Sequence, residues 1–247
     1  MFTGVGYALD MIIATDNTPG EPWVNGGGTE FDPVKPGIEL EIYKAIAEIL
    51  NLNIEFRRLP WKLCLQQLEH GKVDGIFPAS FKEERLKLGV YPMKNGSVDT
   101  FRKTRDNAYY LYKTKDDPIT WNGKEFKHIS GPMGAPLGWA VVDDLIKMNL
   151  DIKEVPVHVK TLEMLLSGRL NGFVCLESVF DSYISNEPDK YKDIVKVSPS
   201  IWEKPYYLML SHQFVQNNPD LAEKIWNEIS NFKSTIEFQK INLKYTN

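Results

Sequence analysis

One unit occurs twice in this chain, and that repetition constrains the fold more than any other feature. LEHGKVDGIF (Leu68–Phe77) and LLSGRLNGFV (Leu165–Val174) align position by position, pairing Gly71 with Gly168, Lys72 with Arg169, Asp74 with Asn171 and Gly75 with Gly172. Each copy reads as the last turn of a helix, a glycine stop and a short strand. Each also follows an earlier strand. Ile54–Leu59 alternates apolar and polar up to Pro60, ahead of a helix over Trp61–Leu68; Asp151–Val155 precedes a helix over Thr161–Leu166. In front of the first copy, Ile42, Ile46, Ile49 and Leu50 make the apolar stripe of another helix, with Glu39, Glu41 and Glu48 expected on its other faces. Pro78 is expected to end the strand Val73–Phe77. Strands alternating with helices imply parallel pairing through right-handed crossovers. The expectation is therefore an α/β chain of two similar lobes, each a mixed, mainly parallel sheet flanked by helices.

Two aromatic-rich strands, Ala108–Lys113 (AYYLYK) and Tyr206–Leu210 (YYLML), flank the second copy and read as the two crossings between lobes. This puts residues 1–107 plus 211–247 in lobe 1 and 108–210 in lobe 2. The amphipathic helix Leu221–Phe232, with Ile236–Leu243, is expected to pack back onto lobe 1. Ile129–Gly138 reads as a strand end followed by a glycine- and proline-rich loop that opens a helix at Trp139.

Composition excludes several classes. A length of 247 residues, 43% apolar and 25% charged, is that of a soluble globular protein of one or two domains. A net charge of −4 lacks the basic face of a nucleic-acid binder. No apolar run reaches the ~20 residues that span a bilayer. The opening MFTGVGYALD has neither a basic n-region nor an apolar h-region and does not read as a signal peptide. Cys64 and Cys175 stand apart from any CxxC or Cys/His cluster, and the four histidines have no metal-ligand spacing, so neither metal nor cofactor is expected.

The run Gly37–Arg85 resembles the extracellular solute-binding proteins of family 3, the receptors for polar amino acids in ABC importers. The parts that carry the resemblance are Gly37 opening a helix, Trp61 after a strand, Gly71-Lys72-Val73-Asp74, and Lys82-Glu83-Glu84-Arg85 in the place of Thr-x-x-Arg. The resemblance implies a type II periplasmic-binding fold, hinge closure on a ligand in the cleft between lobes, and Arg85 gripping the ligand carboxylate. Arginine suits that role, since its planar, permanently charged fork matches a carboxylate bidentately. Arg85 is expected in the first turn of a helix, where free N–H groups also favour an anion.

Around Arg85 the candidate ligand residues are Ser80 at the strand end, Trp61, and Asp16 and Trp23 from the loop after the first strand, Met11–Thr15. From lobe 2 come Gly134, Ala135 and Pro136, as backbone donors in their loop, and Glu177. The family threonine is Lys82 here, and its ammonium-binding aspartate falls on Leu176, with Glu177 next. The carboxylate half of an amino-acid site is thus present. The ammonium half rests on Glu177, on Asp16, or on a ligand without that group. The implied protein is a monomeric periplasmic receptor that hands a small carboxylate-bearing solute to a membrane ABC permease. Two alternatives share the fold: the ligand-sensing domain of a receptor, and a cyclohexadienyl or arogenate dehydratase-like enzyme.

Overall fold

The computed structural model describes residues 9–157 and 159–246; His158 and the first eight positions of MFTGVGYALD lie outside the described residues. In chain order the main elements are β1 (Leu9–Asp16), α1 (Ile38–Leu50), β2 (Leu52–Leu59), α2 (Trp61–Glu69), β3 (Gly75–Ser80), β4 (Arg105–Thr114), β5 (Met133–Pro136), α3 (Ala140–Lys147), β6 (Ile152–Val155), α4 (Val159–Leu166), β7 (Gly172–Leu176), α5 (Glu177–Asn186), β8 (Ile194–Leu210), α6 (His212–Asn217), α7 (Pro219–Phe232) and α8 (Ile236–Thr246). The chain divides into two compact units. Unit 1 takes residues up to Asn17, Pro22–Arg105 and Tyr206 onward; unit 2 takes Thr18–Glu21 and Asp106–Pro205.

Unit 1 carries the strand order β8–β3–β1–β2. β1 runs parallel to both β2 and β3, and the Tyr206–Leu210 end of β8 runs antiparallel to β3. The apolar stripe of α1 does what its spacing predicts: Ile38, Leu40, Ile42, Tyr43 and Ile46 are buried with Met11, Ile13, Phe77, Leu208, Ile225, Trp226 and Ile229 in one core. Glu39 departs from the expectation. It is fully buried within the same helix, where the sequence pattern puts it on a charged face. Pro78 also does not stop β3, which continues to Ser80. Proline cannot donate to a ladder, and the pairing of β3 with β8 slips register between Tyr207 and Met209, beside Pro78, so no donor is required there.

Unit 2 carries the order β6–β5–β7–β4–β8, with β5 parallel to β6 and β7, and β7 antiparallel to β4. β8 is 17 residues long and contributes to both units, Ile194–Pro205 to unit 2 and the remainder to unit 1. The two copies of the repeat are built alike. Gly71 and Gly168 both end a helix with positive φ (61° and 68°), which glycine adopts without the usual Cβ penalty. Asp74 and Asn171 donate their N–H groups to Ile12 and Pro132, and their side chains reach Ile12 N and the Asp117 carboxylate. Gly75 and Gly172 then open β3 and β7.

Candidate functional site

β1, β2 and β3 are parallel, so their carboxyl ends meet at one edge of the unit 1 sheet, the edge where open α/β sheets carry ligands. Asp16 ends β1, Trp61 follows β2 directly, and Ser80 ends β3. Arg85 folds back onto this edge. It lies in a five-residue 3₁₀ turn, Glu83–Lys87, rather than in an α-helix, so the helix-terminus contribution expected for it is not formed. Its guanidinium is 7% exposed as a residue, donates from Nη1 to the Ser80 carbonyl (3.0 Å) and hydroxyl (3.3 Å), and sits 5.6 Å from the Trp61 ring centroid. Tyr91 Oη donates to the same Ser80 carbonyl at 2.9 Å, and burial pushes its phenol up to about 12. Ser80, Trp61, Arg85 and Tyr91 are therefore one cluster.

No carboxylate among the described residues pairs with Arg85. A nearly buried guanidinium satisfied on one edge by a carbonyl, with no counter-charge, favours an anion strongly.

Asp16 is half-buried at the same edge, and its charge, after burial, contributes to raising the Cys64 thiol. Trp23 packs against a second arginine: the Arg105 guanidinium is 5.0 Å from the Trp23 ring and 5.4 Å from that of Tyr206. Arg105 forms an ion pair with Glu39 (3.1 Å, both side chains under 5% exposed). Burial holds the Glu39 carboxyl above its usual range, and Arg105 only partly offsets this. Tyr206 is the register partner of Ser80, so the two clusters flank one rung of the sheet.

In unit 2, Gly134, Ala135 and Pro136 are buried residues of β5 and not loop residues. Short apolar and small residues there pair with β6 along their whole length. The turn that follows is Leu137–Trp139, and its N–H groups are committed: Leu137 donates to Val155 O and Gly138 to the Glu154 carboxylate. The anion cradle expected at this loop is thus closed by the protein itself. Glu177 is the first residue of α5, because β7 ends at Leu176. Strand parity therefore does not govern its direction. Glu177 and Asp181, one helical turn apart, both pair with Lys196, the latter at 2.5 Å, and Asp181 accepts from Tyr112 Oη at 2.7 Å. Burial, with Asp181 adding to it, drives the Tyr112 phenol far above its ordinary value.

Glu39, Arg105 and Tyr206 escape sequence reasoning. Glu39 carries a signal in hindsight, a carboxylate three residues before Ile42 and four before Tyr43 on the buried stripe; Arg105 carries none until its partner is known.

Bacterial extracellular solute-binding proteins, family 3, match residues 32–247. No curated protein sequence matches. Among solved structures, an ancestral arginine-binding protein bound to arginine is 20% identical, with 98% of this chain and 100% of that chain covered and a TM-score of 0.75. An ABC uptake transporter substrate-binding protein from Streptococcus pneumoniae with bound histidine is 17% identical (96% and 92% covered, TM-score 0.73). A histidine kinase sensor domain with similarity to periplasmic binding proteins is 16% identical (97% and 96% covered, TM-score 0.76). At these identities the likeness is one of fold: α/β, of the type II periplasmic-binding class.

Proposed function

The chain belongs to the bacterial extracellular solute-binding proteins, family 3, and on that premise we propose that it captures a small carboxylate-bearing solute, an amino acid or related organic acid, by binding without catalysis. The observation that carries this reading is Arg85, a buried guanidinium with Ser80 and Trp61 beside it and no protein carboxylate against it. A ligand carboxylate supplies the missing counter-charge, and Trp61 offers a stacking face. Asp16, at the same sheet edge as Arg85, carries the ammonium contact in this reading, with Glu177, which pairs with Lys196, as the alternative. In this reading the protein works as a periplasmic monomer, its two lobes close on the ligand, and it delivers that ligand to a membrane ABC permease. Gly134–Pro136 pair with β6 and Trp23 packs on Arg105, and this reading assigns the central ligand contacts to Arg85, Ser80, Trp61 and Asp16 instead.

A thermal-shift screen over amino acids, organic acids and amines tests the proposal, because a ligand bound only by the folded state raises the melting temperature. The expected hits carry a carboxylate, and the matching amines lacking it give no shift. Calorimetry on Arg85→Met should then show at least a hundredfold weaker binding, the effect of about 3 kcal/mol for one partner of a desolvated charge pair. Binding within threefold of the native protein would overturn the assignment. A gene neighbourhood lacking permease and ATPase genes would turn the reading toward a sensor.

A further inference from the structure

The chain enters or leaves unit 1 at four points, after Asn17, before Pro22, after Arg105 and before Tyr206. Three of these ends converge on one buried ion pair. Arg105 is itself the last residue before one passage, and its guanidinium is flanked by the rings of Trp23 and Tyr206, the second and first residues after two others. Glu39 on α1 holds the same guanidinium at 3.1 Å.

The backbone repeats the arrangement. Thr104 N donates to Tyr206 O (2.7 Å), tying two of the ends together. Ile38 N and Glu39 N donate to Pro22 O and Trp23 O (both 3.0 Å), tying the third end to the first turn of α1. Tyr43, one turn along α1 from Glu39, shares a hydrogen bond of 3.0 Å with Thr104 Oγ1. Glu39, Arg105 and the phenols of Tyr43 and Tyr206 are among the ionisable groups the cluster gathers. Among the described residues Arg105 Nη1 has no hydrogen-bond partner, and its Nε meets Glu39 without hydrogen-bond alignment. The Arg105 guanidinium is therefore held by charge and by ring faces, while directed backbone bonds tie the chain ends around it.

We propose that Glu39 and Arg105 form a clasp that fuses three of unit 1's four chain ends into one rigid rung, so that chain bending during ligand capture is confined to the residues just outside it. On the Arg105 side those residues are Asp106–Ala108. On the Tyr206 side they end at Pro205, whose ring already restricts φ. The clasp rests on the binding reading only for its use in capture; its mechanical coupling is a property of the ligand-free chain.

The test uses that property. Hydrogen exchange is followed on the full ligand-free chain, native and with Tyr206→Leu, Arg105→Met or the charge-neutral pair Glu39→Gln/Arg105→Met. Tyr206→Leu leaves both charges in place and removes one ring face. Trp23 and Tyr206 both touch Arg105, so a clasp transmits the change: amides of residues 23–25, 103–106 and 206–208 should speed up together, by tenfold or more. Amides of β7 and of α7 should stay within twofold. Acceleration confined to residues 206–208, or spread evenly over unit 1, would overturn the clasp. The neutral pair keeps the test open if a lone buried charge prevents folding, and it should loosen the same three segments; their unchanged exchange in that folded variant would also overturn it. Failure of the ligand screen alongside coupled exchange would refute the binding reading and leave the clasp standing.

Discussion

Gly37→Ala should be among the most damaging small substitutions in unit 1, and its cost can be assembled from the geometry. Gly37 sits at the N-cap position of α1 with φ 116° and ψ 151°. That region is essentially restricted to glycine and costs another residue roughly 1–3 kcal/mol. An added Cβ would lie 2.3 Å from Trp23 O and 2.7 Å from both Trp23 C and Val24 Cα. All three are backbone atoms, so no rotamer change relieves the overlap; the strand of chain at 22–24 must retreat. Retreat breaks the bonds from Ile38 N and Glu39 N to Pro22 O and Trp23 O, at about 1 kcal/mol each. The expected loss is therefore about 3–5 kcal/mol. Urea unfolding followed by tryptophan fluorescence measures it, with Gly168→Ala as the control. Gly168 has a similar left-handed strain (φ 68°) but nothing within 4 Å of its added Cβ, so it should lose only about 1–2 kcal/mol. A Gly37→Ala loss below 1 kcal/mol, or equal losses at both glycines, would refute the reasoning.

Other outcomes follow from the same structure. Trp226→Phe removes the N–H that Leu208 O accepts at 2.9 Å in the unit 1 core and should cost about 2–4 kcal/mol in denaturant unfolding. Glu39→Gln should change the pH dependence of stability with a definite sign. The folded Glu39 carboxyl is held above its unfolded value by burial, so its contribution is fully present below the unfolded pKa and lost as pH rises through the folded one. The stability of the native protein relative to Glu39→Gln should thus fall from acid toward neutral pH, and calorimetric melting of both proteins across that range would read it. Glu177→Gln weakens a pair whose acid is 43% exposed, and should shift stability by less than about 1 kcal/mol.

The α/β layering, the repeat and most of the carboxyl-edge cluster were legible because each depends on local pattern: periodicity for α1, glycine stops for the two copies, and strand ends for Asp16, Trp61 and Ser80. What was illegible depends on pairing across long separations. Pro78 reads as a terminator until the register slip in β8, some 130 residues later, is known. Glu39 reads as a surface acid because its partner, Arg105, lies 66 positions away (105 − 39) on another element. The setting of Glu177 was illegible for a smaller reason: β7 stops one residue before it, and Glu177 opens a helix. The lobe boundaries, set by pattern at 107 and 210, fall two and five residues beyond the edges of the compact units.

The division of β8 between two compact units has a consequence for synthesis. Unit 2 occupies residues 106–205 almost without interruption, whereas unit 1 draws its core from both ends of the chain. Folding during synthesis proceeds as units are completed. The stripe of α1 and the inner face of β1 cannot be covered until Leu208, Ile225, Trp226 and Ile229 exist. A growing chain therefore completes unit 2 first and carries the apolar stripe of α1 uncovered until α7 has been made. Truncation within α7 should expose that segment permanently, which makes α7, although it carries none of the candidate ligand residues, an element on which production of soluble protein depends.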